Sequence, residues 1–402
     1  MELGPIFRAL MHNPTRFWLI AVEVALTLAI VINCVAIITE QRDLLTRPSG
    51  LDEVNLVVVT TQPFADDFAD GSFLDTVREE DLRSLRALPG VRAAAALDYL
   101  PLAGGGSLTA LRAADSEGDG HPAPYFVAGL GALDALGVEL VAGRDHIESD
   151  MHPGINDPEN LIVTQALADR FYPDGDALGK TLTDVDTDQV WGTIVGIIAR
   201  MHNAWPRSTI AELAMIRPGP ANDSRELRYV VRTQPGAMDQ VFNELESTVR
   251  EVNTDRIVRV RLLEDYKRRY FDDELVLVKV LTVLALLLIA VTSLGIIGLT
   301  SFSVTQRTRE IGTRRALGAT RSEILRYFVI EIWVITGIGL ILGVVLAYAL
   351  NFALASLAGA PALNMGLLAA GIGLLWIIGI AAALAPAFQA TLVPPVVTTR
   401  TV

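Results

Sequence analysis

The sequence has a single cysteine, Cys34, among 402 residues, and this cysteine lies inside a long apolar run. One cysteine cannot form an intramolecular disulfide, so any soluble domain must be stabilised by its own hydrophobic core. Histidine is also rare, with five residues, and aromatic residues make up 6%. No arrangement of Ser, His, Asp, Cys or Glu resembles a catalytic set, so we expect a non-catalytic chain that holds no metal or cofactor of its own.

Charged residues are nearly absent from four long segments of a chain that is 51% hydrophobic, with a mean hydropathy of +0.40. A soluble protein could not hide this apolar excess in its core. Each segment can cross the roughly 30 Å apolar layer of a bilayer as a helix, which satisfies its own backbone hydrogen bonds. No small-residue cleavage site follows the first segment, so we expect a retained anchor rather than a signal peptide. The predicted transmembrane helices are residues 17–38, 274–300, 328–352 and 366–388.

Arginine is concentrated in one short loop, residues 301–327, which contains six arginines and two glutamates. The long segment between the first two helices, residues 39–273, is strongly acidic. Short basic loops stay in the cytoplasm, whereas long domains cross the membrane regardless of charge. We therefore predict a multi-pass membrane protein with residues 39–273 outside the cytoplasm and residues 1–16, 301–327 and 389–402 in the cytoplasm. With a net charge of −13, the chain is not expected to bind nucleic acid.

The long segment, residues 39–273, shows the same element order near both of its ends. This order predicts two βαβ units that form one α+β subdomain. Residues from about 99 to 221 would be inserted between the two units as a β-rich piece. The predicted fold class is therefore an α+β membrane protein with four transmembrane helices. The predicted elements are the strand Asn55–Thr60, the helix Phe73–Leu88 and the strand Val91–Leu97, then the strand Arg228–Arg232, the helix Met238–Val252 and the strand Ile257–Leu262.

Two motifs in the insert resemble binding sites. Residues Gly175–Thr181 resemble a phosphate-binding loop, but they are one residue short and follow acidic residues instead of a buried strand, so we interpret them as a structural turn. Residues Arg144–His152 contain the atom types that bind zinc, but their spacing fits no closed zinc site. We interpret this second motif as a solvated acidic loop.

The most specific stretch is the arginine-rich segment after the second predicted helix. It reads QRTREIGTRRALGAT from Gln306 to Thr320, with Gly318 suited to a left-handed helix end. Residues Thr320–Glu323 then form a capping box that starts the next helix. We call residues 307–323 the elbow. Such a rigid bend could dock into a partner, or it could be a basic loop that binds anionic lipid, and charge alone does not decide between them.

These residues closely resemble the FtsX-like permeases of the MacB type, which are subunits of ATP-binding cassette (ABC) transporters. The run from Gln306 to Thr320, followed by Glu331, resembles the coupling segment of that family. A second match, in the insert, resembles the family's periplasmic core domain, so the resemblance covers essentially the whole chain. The matching residues there are Tyr125–Gly129, Leu136–Val138, Ala142–Arg144, Asp150, Ala166–Pro173, Leu178–Lys180 and Thr193–Ile197.

The resemblance implies a location in the cell inner membrane with residues 39–273 in the periplasm. It also implies an ATPase partner that binds ATP and Mg²⁺, a second permease, a periplasmic adaptor and an outer-membrane channel. No Walker motif is present, so we expect the ATPase to be a separate polypeptide. The tail also departs from the family, because Pro386 is followed by Ala387–Ala390 and Pro394–Pro395 rather than by arginines. This departure leaves open whether the chain pairs with itself or with a sister permease. The residues implied in ATPase coupling are Arg307, Arg309, Glu310, Ile311, Gly312, Arg314, Arg315, Leu317 and Gly318.

Three polar residues, Glu23, Asn33 and Glu331, fall in or beside the predicted membrane helices. A carboxylate at the bilayer centre costs about 2.5–3.5 kcal/mol on insertion scales, so each should face protein or water. For Glu331 we favour an ion pair with Arg326 or Arg321 over a transport role. Gly339 and Gly343 form a GxxxG pattern for close helix packing, within one chain or between two.

The leading hypothesis is an export permease in which ATP-driven motion enters at the elbow and is passed to the periplasmic domain. We expect residues 267–299 to carry this motion as one nearly unbroken helix, about 50 Å long at 1.5 Å per residue. A lipoprotein-extracting permease and an FtsX-like signalling permease that controls a cell-wall hydrolase share this architecture and remain alternatives. An enzyme acting at the membrane surface is the alternative from a different class.

Overall fold

The computed structural model describes residues 14–116, 118–151, 158–220 and 226–392. The expected cytoplasmic residues 1–13, His152 of the second insert motif, and Pro394 and Pro395 of the tail lie outside these ranges. The chain divides into two units, which we call the helical unit, up to Leu45 and from Asp273 onward, and the head, Thr46–Asp272.

Ten helices and eleven strands follow one another in the described residues. The helices are α1 (Pro14–Thr46), α2 (Gly71–Ala87), α3 (Ala132–Leu136), α4 (Gln165–Phe171), α5 (Met238–Val252), α6 (Leu263–Tyr270), α7 (Asp272–Gln306), α8 (Thr308–Ala316), α9 (Arg321–Ala358) and α10 (Met365–Thr391). The strands are β1 (Leu56–Pro63), β2 (Val91–Ala96), β3 (Ser107–Ala113), β4 (His121–Ala128), β5 (Leu140–Gly143), β6 (Glu159–Thr164), β7 (Thr181–Asp184), β8 (Val190–Ile198), β9 (Met215–Pro218), β10 (Leu227–Thr233) and β11 (Arg256–Leu262).

Four helices of the described chain, α1, α7, α9 and α10, are long and apolar enough to cross a membrane. Each predicted span lies within one of them. The helices also run beyond the apolar spans, because the polar residues at their ends continue the helix. For example, α9 begins at Arg321, where Thr320 and Glu323 cap it, seven residues before the predicted span.

Helix α1 packs closely against α9 in the helical unit. The buried residues Ile20, Val24 and Leu28 of α1 share a core with Ile332 and Ile335 of α9. The two glycines of the GxxxG pattern lie at this contact, so the contact they serve here is within one chain. A methyl group added at Gly339 would lie 2.8 Å from the carbonyl oxygen of Ala21, and one added at Gly343 would lie 3.0 Å from Leu28.

The head contains a four-stranded antiparallel sheet with the order β11, β1, β10, β2. All six predicted elements are confirmed, with boundaries that differ by no more than a few residues. The two βαβ units are interleaved, because β10 of the second unit lies between β1 and β2 of the first, and β1 lies between β10 and β11. This is the split βαβ arrangement, in which each unit completes the sheet of the other.

A buried ion pair joins the helices of this sheet to its strands. The carboxylate of Asp81 on α2 accepts hydrogen bonds from both terminal nitrogens of Arg256, at 2.5 Å each. The hydroxyl of Tyr229 donates a third hydrogen bond to Asp81, at 2.6 Å. Both charged side chains are fully buried, so removing either one would leave an uncompensated charge in the core.

The insert is β-rich, as predicted, and its strands close into a ring. The strands β8, β6, β9, β4, β3 and β7 pair in this order, and β7 pairs again with β8. β5 pairs with residues 196–198 of β8, beyond the part of β8 that pairs with β7. Side chains from the ring, including Leu111, Leu161 and Ile194, form one core with Leu167 and Phe171 of α4. A closed ring leaves few unpaired strand edges, which is one way in which β-rich domains avoid aggregation.

Asp98 lies where the chain passes from the sheet into the insert. One carboxylate oxygen accepts hydrogen bonds from the backbone N–H groups of Tyr99, at 2.6 Å, and Val127, at 2.8 Å. The guanidinium of Arg228 donates to the backbone carbonyl of Asp98. Burial raises the pKa of Asp98 from its ordinary value of 3.8 to about 6, despite these hydrogen bonds.

We expect the head to lose stability as the pH rises from about 4 to about 7, because ionised Asp98 is disfavoured in the folded state. The folded pKa is above the unfolded one, so the stabilising contribution is complete below the ordinary pKa and is lost as the pH passes about 6. Asp98→Asn keeps a carbonyl acceptor but cannot ionise, so it should remove this pH dependence of the stability. Thermal unfolding of both proteins in detergent across this pH range measures it, and a constant difference between them would contradict the prediction.

The expected nearly unbroken helix from residue 267 to residue 299 is interrupted at one residue, Phe271. α6 ends at Tyr270, α7 begins at Asp272, and Phe271 between them has a φ of −103° and a ψ of 12°. Phe271 is fully buried in the head, which fixes the chain direction at this point. The Arg207 guanidinium lies 4.7 Å from the Tyr270 ring centre and donates to the Tyr270 carbonyl, so it satisfies one of the acceptors that the helix end leaves open.

Candidate functional site

The elbow joins α7 to α9 through the short helix α8. The Thr308 hydroxyl donates to the carbonyls of Val304 and Thr305, at 3.0 and 2.8 Å, at the start of α8. Gly318 has a φ of +101°, which confirms the predicted left-handed end. The predicted capping box is also confirmed, because the Thr320 N–H donates to Glu323 at 2.8 Å and the Glu323 N–H donates to the Thr320 hydroxyl at 3.3 Å.

One side of α8 is anchored to the helical unit. Ile311 and Gly312 are buried, and Ile311 shares a core with Ile324 and Phe328 of α9 and with Ala387 and Ala390 of α10. Helix α8 therefore packs against two long helices and is fixed in position rather than hanging as a loose loop.

An ion pair fixes the start of the elbow. Arg307 Nη1 lies 3.1 Å from Glu331 Oε2 on α9, and Glu331 is 2% exposed. The expected pairing of Glu331 with Arg326 or Arg321 is wrong. Five residues on a helix are about 140° apart around its axis, so Arg326 points away from Glu331 and is exposed.

A second arginine fixes the end of α8. Arg315 Nη1 donates to the Thr391 carbonyl in the last turn of α10, at 2.6 Å. A cation at this position also interacts favourably with the negative end of the helix dipole. The neighbouring Arg314 guanidinium lies 5.1 Å from the ring centre of Tyr327 on α9. The contacts to Thr391 and Tyr327 had no recognisable signal in the sequence.

The other side of the elbow is open to solvent. Leu317 is 84% exposed. Arg309 and Glu310 are also exposed, as is Gly318. The nine residues implied in coupling thus divide into two groups. Arg307, Ile311, Gly312 and Arg315 hold α8 in place, whereas Arg309, Glu310, Arg314, Leu317 and Gly318 are exposed.

The elbow lies within a segment that matches a known protein family. The family model described as FtsX-like permease C-terminal matches residues 282–395, which include the whole elbow. The macrolide export ATP-binding/permease protein MacB of Neisseria meningitidis serogroup A is 27% identical over 241 residues, which cover 57% of this chain and 35% of that protein. The chain contains an FtsX-like permease domain and is similar to MacB-type ABC permeases. It spans about a third of the length of the MacB relatives that it matches.

One shorter sequence match and two solved structures are also similar to parts of this chain. The uncharacterised ABC transporter permease YknZ of Bacillus subtilis is 36% identical over 107 residues, 26% of this permease and 27% of YknZ. The periplasmic region of MacB from Actinobacillus actinomycetemcomitans has a TM-score of 0.37 and 12% identity, over 56% of this chain and 97% of that one. The extracellular domain of YknZ has a TM-score of 0.34 and 14% identity, over 52% of this chain and 100% of that one.

The near-phosphate loop of the permease is a structural turn, as predicted. Gly175 and Gly179 both have positive φ values, 84° and 81°, which an ordinary residue adopts only with strain. The ammonium group of Lys180 lies 3.4 Å from Asp176 and 3.7 Å from Asp115, so it is paired with carboxylates of the head.

The predicted solvated acidic loop around Asp150 is instead an ordered network. Asp150 is 5% exposed, and its carboxylate accepts from both Arg144 terminal nitrogens, at 2.6 and 3.1 Å. The Asn160 amide donates to the same carboxylate at 2.7 Å. The hydrogen bond from Arg144 is the largest of the effects that lower the pKa of Asp150 to about 2. Within the described residues, no group of three or more His, Cys, Asp or Glu side chains could hold a metal ion.

Glu23 and Asn33, the two polar residues of α1 predicted to lie within the membrane, have different surroundings. Asn33 is buried and donates to the carbonyls of Ala29, at 2.8 Å, and Ala347 on α9, at 3.2 Å, and Asn351 donates to it at 3.1 Å. Glu23 is half-buried beside Gly295 on α7, at an open groove that Trp18 also lines. Asn33 is therefore part of the helix contacts, whereas Glu23 is not enclosed.

Proposed function

We propose that the elbow is the docking point of an ABC ATPase, and that the permease passes ATP-driven motion to the head to drive export. The observation that supports this proposal is the division of α8 into a buried side and an exposed side. A segment that transmits motion must be fixed to the moving helices and must still present a surface to its partner. ATP and Mg²⁺ would bind to the ATPase rather than to this chain.

The anchoring contacts of the elbow reach two of the long helices. Arg307 and Ile311 contact α9, and Arg315 contacts α10, while the chain itself continues from α7. A displacement of α8 therefore acts on α7, α9 and α10 together. Along the chain, one residue, Phe271, separates α7 from the head helix α6.

The direction of transport and the partners are drawn from the relatives. MacB proteins are named as macrolide export ATP-binding/permease proteins, which favours export and an ATPase for this chain. We place the permease in the inner membrane with the head in the periplasm, where it would handle cargo. We also propose a second permease chain, a periplasmic adaptor and an outer-membrane channel as partners.

The exposed chemistry of the elbow favours a protein partner over a lipid surface. An anionic lipid surface attracts a uniformly basic segment. The exposed side of the elbow instead combines the apolar Leu317 and the acidic Glu310 with arginines. Mixed apolar and charged surfaces of this kind are typical of protein interfaces.

Leu317→Asp is expected to reduce recovery of the ATPase by about tenfold or more, which is the typical effect of losing an interface hot spot. The permease is purified in mild detergent, and the co-purifying ATPase is quantified by mass spectrometry. Leu317 is 84% exposed, so the change should leave the fold of the permease intact. Val54→Asp, at a head residue that is 82% exposed, makes the same chemical change elsewhere and should retain the ATPase.

Equal recovery of the ATPase with Leu317→Asp and with the control would contradict docking at the elbow. If both variants bind the ATPase but Leu317→Asp loses binding to anionic vesicles, the elbow is a lipid-binding loop instead. Export itself is tested in proteoliposomes, where accumulated drug shows transport. ATP hydrolysis without any transported molecule would favour a signalling permease.

A further inference from the structure

The strand β11 forms one edge of the four-stranded sheet in the head. β1 pairs with it along its whole length, from Leu262 to Arg256, and no second strand of the described residues pairs with its other side. Every second residue of an edge strand directs its N–H and C=O groups away from the neighbouring strand. β11 has seven residues, which is long enough to pair with an added strand.

The side chains of β11 differ on its two faces. Val258 and Val260 belong to the core under α2 and α5. Ile257, Arg259 and Arg261 alternate with them and lie on the opposite face, where Ile257 is 49% exposed. Arg259 is exposed and forms no ion pair with any residue that the structure describes. An added strand would therefore meet a free cation next to an apolar contact.

The charge around β11 is opposite to that of the rest of the head. Acidic residues exceed basic ones across residues 39–273. Three arginines at this edge, Arg259, Arg261 and Arg269, form no ion pair with a described residue, whereas Arg256, Lys267 and Arg268 are paired with carboxylates. The basic group continues into α6, where Arg269 is exposed. An acidic ligand would be repelled by most of the head and attracted to this one edge.

We propose that the free edge of β11 binds an extended acidic segment of a partner protein by strand addition. The backbone of β11 would supply hydrogen bonds, and its side chains would select a segment in which acidic and apolar residues alternate. A second copy of β11 does not fit, because antiparallel pairing of identical strands would bring arginines together. This proposal is independent of ATPase docking at the elbow.

The test uses the full-length permease in zwitterionic nanodiscs and a fluorescent peptide of alternating valine and glutamate. Fluorescence anisotropy should show binding to the unaltered protein, and Arg259→Glu should weaken it by about tenfold, since an attraction becomes a repulsion. The control is Arg83→Glu, which reverses the charge of an exposed arginine on α2 and should bind as the unaltered protein does.

Two further peptides separate strand addition from simple charge attraction. A peptide whose alternate amides are methylated keeps its charge but cannot complete the hydrogen-bond ladder, and it should not bind. A peptide of alternating valine and lysine should not bind either. Equal binding of the methylated peptide, or equal binding by Arg259→Glu, would overturn the proposal. So would binding of anionic vesicles by the basic edge in the absence of peptide binding.

Discussion

Glu331→Ala is expected to destabilise the attachment of the elbow by about 3 kcal/mol or more, because it leaves the Arg307 guanidinium without its carboxylate in a largely buried place. Glu331 is 2% exposed, and its side chain lies beside the start of α8. Hydrogen exchange should become faster in the backbone amides of α8, and thermal unfolding in detergent should shift to lower temperature. Recovery of the ATPase should fall as well, although Glu331 is not at the exposed surface.

The double variant Arg307→Ala with Glu331→Ala separates the ion pair from the effect of an uncompensated charge. Removing both partners should cost less than Glu331→Ala alone, because no isolated charge remains in the protein. Arg326→Ala is the control, since Arg326 is exposed and has no role in this contact. If Glu331→Ala leaves hydrogen exchange in α8 unchanged, the ion pair does not hold the elbow.

Gly339→Leu is expected to destabilise the helical unit by about 3 kcal/mol, because overpacking at a close helix contact forces the backbones apart. A methyl group alone would lie 2.8 Å from the Ala21 carbonyl oxygen and 3.0 Å from Val24, so a larger side chain cannot be placed without moving α1. Gly339→Ala should show a smaller effect in the same direction. Thermal unfolding in detergent measures both.

Gly373→Leu on α10 is the matched control for this contact. A methyl group added at Gly373 would meet no atom within 4 Å, so this substitution should be tolerated and should gain some helix propensity. The same change at two glycines is thus expected to have different results. Equal stability of Gly339→Leu and Gly373→Leu would show that close packing of α9 on α1 does not stabilise the helical unit.

Local signals were enough to predict the four long helices and the six elements of the four-stranded sheet. The apolar run of β1 and the spacing of Val241, Leu245 and Val249 on α5 were read correctly, because each depends on residues close together in the sequence. The same is true of Gly318 and the capping box at Thr320. These features are set by backbone geometry within a few residues.

Pairings between distant residues could not be predicted in the same way. Glu331 was matched with arginines on its own helix, whereas its partner, Arg307, immediately precedes α8. Nothing in the sequence shows that β10 lies between β1 and β2, because strand order is decided by packing of the whole sheet. The polar loop around Asp150 was likewise predicted to be solvated, although Arg144 and Asn160 bury its carboxylate.

The break at Phe271 was missed for a similar reason. The residues from Lys267 to Leu299 have good helix propensity, so the sequence favours one long helix. Burial of the Phe271 ring and the contact of Arg207 with Tyr270 depend on the folded head, and they override that propensity. Propensity is a weak guide where tertiary contacts fix the chain direction.

The pairing of β2 with β10 also bears on how the head could change during evolution. Ala96 lies opposite Tyr229, and the Leu97 N–H donates to the Arg228 carbonyl at 3.0 Å, so the chain leaves the sheet and returns to it at neighbouring points. A tight turn could join these two points and convert β2 and β10 into a hairpin. The ring of strands is in this sense an insertion between β2 and β10 that could be replaced as a unit. Related chains could enlarge, replace or lose it without reordering the four strands beneath, provided that the newly exposed sheet face becomes polar.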